Sequence, residues 1–169
     1  MKRDNTPWRA APSPTLEWTG SERGAAGVPR SGRFGDVYYS RDNGLEESRH
    51  VFLTGNGLPD RMAGWPGERF CIGETGFGTG LNFLLTWRAW RSLPAPRPRL
   101  HYLSVEKYPL DPCDMERALH GWPELAELSA HLLANYPPRV PGSHRLLLDD
   151  GQVVLDLWWE DIADVLPDL

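Results

Sequence analysis

Residues 70–83 read FCIGETGFGTGLNF, and this stretch constrains the fold more than any other. The apolar run over Arg69 to Glu74 has the length of a short buried strand. Glycines follow at 76, 78 and 80, and apolar residues at 81, 83, 84, 85, 87, 89 and 90 then predict a well-covered helix. A strand that turns through glycines directly into a helix belongs to α/β architecture. Its backbone can approach a ligand at the strand's carboxyl end, with no side chain in the way and the helix N-terminus behind it.

The flanking sequence extends the pattern. Leu100 to Glu106 (LHYLSVE) reads as a second strand, and Cys113 to Leu133 as one or two helices split at Gly121-Trp122-Pro123. In HRLLLDDGQVVLDLWW two apolar runs flank Asp150-Gly151, a strong hairpin signal. The order strand, glycine turn, helix, strand, helix, strand predicts a parallel, doubly wound sheet. Upstream, Asp36 to Ser40 and His50 to Asn56 flank the turn residues RDNG and predict a β-hairpin-like extension over 36–56. Residues 1–33, rich in Pro, Gly, Ser and Arg, predict a flexible extension with little core, which leaves 34–169 as one domain.

Composition excludes several classes. Charged residues make up 24% and apolar residues 40%, so most of the chain folds. A net charge of −5 argues against nucleic-acid binding through overall charge and leaves room for a local basic patch, for which Arg88, Arg91, Arg97 and Arg99 are the candidates. Cys71 and Cys113 alone give no disulfide framework, and a cytoplasmic protein is expected. No stretch reaches about 18 uninterrupted apolar residues, so no membrane span is expected. His101, His120, His131 and His144 with Cys113 lack the spacing of a zinc site, so no metal is expected. Ser104 and His101 lie three apart on one strand, where side chains diverge, which gives no hydrolase triad.

The ligand class follows from spacing and charge. A phosphate-binding P-loop places Lys and then Ser or Thr after its last glycine, where this chain has Leu81 and Asn82. The dinucleotide fingerprint runs G-x-G-x-x-G, whereas Gly76, Gly78 and Gly80 run G-x-G-x-G, and Glu74 would set a carboxylate against a pyrophosphate. S-adenosylmethionine carries an ammonium and a sulfonium and no phosphate, so Glu74 becomes an attractive partner for it. Glu106, at the end of the second strand, can accept both ribose hydroxyls, and Asp161, just past DLWW, can take the exocyclic amine of adenine. Ribose and adenine are shared with NAD, so these two acids leave a nicotinamide-dependent oxidoreductase open.

GETGFGTGLNFL, with DVYYSRDNGLEESRHVFL ahead of it and LHYLSVEKYPL, WPEL and PGSHRLLLDDGQVVLDLWWEDI behind, closely resembles the amino-terminal methyltransferase half of the bifunctional tRNA-modifying MnmC family, from about Phe34 onward. The resemblance implies a Rossmann-like class I methyltransferase domain using S-adenosyl-L-methionine. Its implied reaction is methylation of the amine of 5-aminomethyl-2-thiouridine at the wobble position of tRNA. It also implies binding roles for Gly76, Gly78, Gly80, Leu81 and Asn82, and places Asn43, Gly44 and Glu46 over the methionine end. In full-length members a second, FAD-dependent oxidoreductase half first removes a carboxymethyl group. The family continues past the third strand with a further strand and a D-G-F-x-P type loop at the acceptor pocket. That loop is expected beyond Leu169, so no catalytic residue is assigned within this chain, and a C-terminally incomplete methyltransferase sheet is expected. An inactive cofactor- or tRNA-binding fragment is the alternative.

Overall fold

A computed structural model describes residues 10–20, 27–40 and 43–168. Its centre is a four-stranded sheet built from β3 (Arg69–Thr75), β4 (Arg99–Val105), β5 (Gly142–Leu148) and β6 (Val153–Trp159), in the order β3-β4-β6-β5. β3, β4 and β6 run parallel, in a register that sets Glu74 beside Ser104 and Val105 beside Trp158. The strand and helix boundaries around the glycine turn follow the apolar pattern closely. β3 passes through Gly76, Gly78 and Gly80 into α3 (Leu81–Arg91), and Gly80 is the left-handed N-cap at φ 76°.

Helix α3 lies against the sheet with Leu81, Phe83, Leu84, Leu85, Trp87 and Trp90 all buried. Phe83 meets Tyr102 of β4 edge-on at 5.2 Å between centroids and Trp87 at 5.5 Å. At about 25 cal/mol per Å² of apolar surface, each of these side chains contributes about 1.5–3 kcal/mol, which makes α3 the principal anchor of the glycine turn. Between β4 and β5 the chain forms α4 (Pro112–Leu119), a short 3-10 turn over Pro123–Leu125 and α5 (Ala126–Asn135). The split at Gly121-Trp122-Pro123 arises because proline favours a helix start and cannot continue one. Leu128 and Leu132 carry α5 onto the same core, and α6 (Ile162–Val165) follows β6.

Two expectations are corrected. The hairpin expected at Asp150-Gly151 forms, with β5 antiparallel to β6, and it makes the sheet mixed where the order of elements predicted a parallel one. Asp149, Asp150 and Gly151 all take positive φ (47°, 54° and 77°), and three successive left-handed residues reverse the chain too tightly for a crossover helix. The hairpin expected over 36–56 is also absent. Asp36–Ser40 makes only an isolated bridge from Val37 to Arg30, while 44–54 is helical: α1 (Gly44–Ser48) runs into one π-helical stretch (Arg49–Thr54), followed by α2 (Leu58–Ala63). Leu45, Phe52 and Leu53, seven and eight residues apart, share a helical face, and core packing outweighs the strand preference of His50-Val51-Phe52.

A two-stranded antiparallel hairpin does occur, earlier in the chain. β1 (Leu16–Thr19) pairs with β2 (Val28–Ser31), inside the segment expected to be a flexible extension. Val28 and Ser31 are buried, and nearby Ala11 joins the core. Residues 1–9 and 21–26 of that expected extension, and Arg41-Asp42 of the expected RDNG turn, lie outside the described residues. Leu169, beyond which the acceptor-pocket loop is expected, lies outside them as well.

Candidate cofactor site

The carboxyl ends of β3 and β4 and the start of α3 meet under the segment 36–38. That segment is held by the Val37 bridge and by the Tyr38 N–H donating to the Pro29 carbonyl at 3.0 Å. Two adjoining cavities open there, of about 510 and about 420 Å³, both bordered by Asp36, Val37, Tyr38, Gly76 and Glu106. This is the size range of small-ligand clefts.

Glu74 lies near the end of β3, next to its register partner Ser104. Its Oε1 accepts from Asn82 Nδ2 at 3.0 Å and its Oε2 from the Ser104 hydroxyl at 2.9 Å. Asn82 is in the first turn of α3, so one carboxylate couples the strand, its neighbour and the helix. Burial pushes the Glu74 carboxyl up to about 7, against the two hydrogen bonds that favour its ionised form, and the nearby charge of Glu106 adds to the rise. Tyr102 lies fully buried beside it. The Tyr102 hydroxyl is close enough to be driven well above its ordinary value by burial and by the charge of Glu74, yet it has no partner in hydrogen-bonding geometry. Among the described residues no cation pairs with Glu74.

Glu106 is set one residue past β4. Its Oε2 accepts the Gly78 N–H at 3.0 Å and its Oε1 the Tyr108 N–H at 2.8 Å. It makes no pair with Lys107, and each oxygen keeps a lone pair for a further donor such as a sugar hydroxyl. The three glycines have different duties. Gly76, at φ 87°, has nothing within 4 Å of where a Cβ would be and faces open space at the cleft. A Cβ on Gly78 would come within 3.2 Å of the Tyr38 ring, and one on Gly80 within 2.9 Å of Phe77. Gly76 therefore leaves room for a ligand, while Gly78 and Gly80 admit protein packing. Leu81 is buried behind the turn, and Leu81 and Asn82 both border the smaller cavity.

The remaining expected residues lie differently. Asp161 caps α6, its Oδ1 accepting the Ala163 N–H at 3.0 Å, and its other oxygen pairs with Lys107. Lys107 holds the Asp161 carboxyl below the usual range, with help from that backbone donor. Asn43 is exposed at the N-cap of α1 and makes no side-chain cap. Glu46 is exposed and pairs with Arg49 at 2.5 Å, which in turn reaches Glu124; the α1 residues that border the cleft side are Gly44, Glu47 and Ser48. The structure thus brings Gly76, Gly78, Leu81, Asn82 and Glu106 to the two cavities and ties Glu74 to them through Asn82, although Glu74 itself borders neither; Asn43, Glu46 and Asp161 lie outside both. Sequence reading missed Ser104, Tyr38 and the pair Arg33 and Tyr108, whose guanidinium and ring lie 5.0 Å apart at the larger cavity. Ser104 was recoverable from the parallel register of the two strands; Tyr38 and Arg33 arrive only through tertiary packing.

Of the four arginines of the basic patch, Arg88 and Arg91 are paired with carboxylates. Arg91 binds Asp149 and Glu127, Arg88 binds Glu124, and Arg97 lies 4.1 Å over the Trp90 ring. No group of His, Cys, Asp and Glu suited to a metal ion occurs among the described residues, and no described helix is long and apolar enough to cross a membrane.

No family model matches the chain. It is 46% identical over 168 residues to the tRNA 5-methylaminomethyl-2-thiouridine biosynthesis bifunctional protein MnmC of Aliivibrio fischeri, covering 96% of this chain and 24% of the relative. It is 51% identical over 144 residues to the protein of the same name from Acinetobacter baylyi, covering 84% of this chain and 23% of that one. The chain therefore spans about a quarter of the length of these relatives. The fold is similar to the crystal structure of MNMC2 from Aquifex aeolicus, with a TM-score of 0.61 at 18% identity over 94% of this chain and 46% of that one.

Proposed function

We propose a function from one premise: over the stretch it shares with its relatives, the chain belongs to the MnmC family, whose named role is biosynthesis of a modified tRNA uridine. The proposal is that this domain binds S-adenosyl-L-methionine and supports methyl transfer to the primary amine of 5-aminomethyl-2-thiouridine at the tRNA wobble position.

The observation that carries this reading is the Glu74 carboxylate. It is a buried carboxyl at the end of β3 with hydrogen-bond donors but no cation among the described residues, and burial disfavours its ionised form, so an ammonium group supplies the counter-charge that form lacks. Glu106 fits a ribose diol, since both of its oxygens are oriented by backbone donors and retain acceptor capacity. The open face of Gly76 leaves space for the body of the ligand. Asp161, Asn43 and Glu46 would join these contacts only if the segments around them move. When bound, the cofactor supplies an activated methyl group on a sulfonium. The chain's own part is alignment: Glu74 fixes one end, Glu106 the middle, and the glycine turn and Tyr38 narrow the space between them.

Whole-protein features of the relatives, the FAD-dependent oxidoreductase half and the tRNA partner, belong to this proposal. So do a cytoplasmic site of action and an acceptor-pocket loop beyond Leu169. Calorimetric titration with S-adenosylhomocysteine and with NADH tests the cofactor. Binding of the thioether alone supports the reading, and binding of NADH alone refutes it. Incubating folded chain with labelled cofactor and tRNA carrying the unmethylated amine tests the transfer, and absence of label on the RNA refutes activity of this chain while leaving the binding role to the titration.

A further inference from the structure

The sheet carries a second cluster of chemically capable side chains, away from the cleft. Cys71 of β3 and His101 of β4 are direct partners in the parallel register, and Cys71 Sγ stands 4.0 Å from His101 Nδ1. On the far side of the ring, His101 Nε2 lies 2.7 Å from Asp156 Oδ2 of β6. Arg145 of β5 grips Asp156 through both oxygens, Nε to Oδ1 and Nη2 to Oδ2, each at 2.7 Å. Burial works against the Asp156 charge, but Arg145 and His101 overcome it and hold the carboxyl below its usual range. An ionised Asp156 accepts the Nε2–H of His101. That fixes the tautomer in which Nδ1 is the free base, facing the thiol.

We propose that Cys71 is a nucleophilic thiol assisted by His101 and oriented by Asp156, and that it exchanges with small acidic disulfides. Nucleophile, base and orienting carboxylate are laid out across three adjacent strands in the order this chemistry requires. A metal role is excluded by geometry, because the imidazole lies between the sulfur and the carboxylate and the three cannot converge on one ion. Cys71 is exposed on β3, an edge strand among the described residues, so a disulfide can reach it. A cavity of about 190 Å³ bordered by Cys71, Asn56 and Arg61 lies at the same edge, and the guanidinium of Arg61 favours a negatively charged reagent. In the reaction the thiol proton passes to His101 Nδ1. The sulfur then attacks one sulfur of the disulfide, one S–S bond forms as another breaks, and the leaving thiolate takes the proton from His101.

Cys113 is also exposed and serves as an internal reference. C113S leaves only Cys71 and C71S leaves only Cys113, and neither alters His101 or Asp156. Reaction with dithiobis-nitrobenzoate at neutral pH is expected to be about a hundredfold faster for C113S than for C71S, the lower end of what a positioned base contributes. Equal rates overturn the proposal, because in C113S the cluster of Cys71, His101 and Asp156 is intact. In the C113S background, H101A is expected to fall to the Cys113 rate and to recover on addition of imidazole. A folded H101A that keeps its rate, or that imidazole fails to restore, overturns the role of His101. Cystamine, a cationic disulfide, should lose ground to the anionic reagent at Cys71 more than at Cys113; an identical ratio at both overturns the acidic preference.

Discussion

Replacing Glu74 by Gln separates charge from shape at the proposed cofactor site. The amide keeps the size of the carboxyl and can still meet Asn82 and the Ser104 hydroxyl, but it cannot ionise. In the folded protein burial raises the carboxyl from its ordinary 4.5 to about 7. A raised carboxyl means that the folded state holds its proton over a range in which the unfolded chain has released it. Stability is therefore full below about 4.5, falls as pH rises to about 7, and is level beyond. At about 1.4 kcal/mol for each pH unit of that interval, the wild type loses about 3.5 kcal/mol that Glu74→Gln does not lose. For a chain of this length that corresponds to about 7–14 °C in melting temperature. Thermal melts of both proteins between pH 4 and 8, without ligand, give the difference directly, since other titrating groups cancel. The variant should gain on the wild type as pH rises, and the same variant should bind S-adenosylhomocysteine at least about tenfold more weakly at pH 8. A melting difference that stays constant with pH would show that Glu74 titrates normally and that no uncompensated anion awaits a cation.

Three further outcomes follow from the same contacts. Glu106→Gln leaves one oxygen to serve either Gly78 or Tyr108, so thioether affinity should fall by about 1–2 kcal/mol in a titration while the folded signal in circular dichroism persists. Gly78→Ala and Gly76→Ala both force a side chain into a positive-φ position (54° and 87°), so both should lower the melting temperature; at Gly78 the methyl also comes within 3.2 Å of the Tyr38 ring, whereas at Gly76 it meets no protein atom and projects into the ligand space, so Gly76→Ala should weaken cofactor binding with no packing clash. Asp149→Asn keeps a residue that tolerates the left-handed turn but removes the charge that accepts from Trp87 and Arg91, and should cost about 2 kcal/mol in denaturant unfolding, with a smaller loss when Arg91 is already replaced by Met.

How far the sequence reached can be followed through particular residues. The run from Arg69 to Arg91 was legible because each step is local: a short apolar strand, glycines where the chain needs positive φ, then a helix whose apolar residues cover nearly every face. The Asp150-Gly151 hairpin was legible for the same reason, and Glu74 and Glu106 stood out by their position relative to the glycines. Phe52 and Leu53 misled, because a six-residue stretch rich in β-formers satisfies strand and helix alternately, and only its burial against α3 decides for the helix. The place of β6 between β4 and β5, the placing of Tyr38 over Gly78, and the line from Cys71 through His101 to Asp156 depend on which strands become neighbours. Strand adjacency is fixed by the packing of the whole core, so contacts that span it are decided by tertiary structure, while turns, caps and periodicity are settled by near neighbours along the chain.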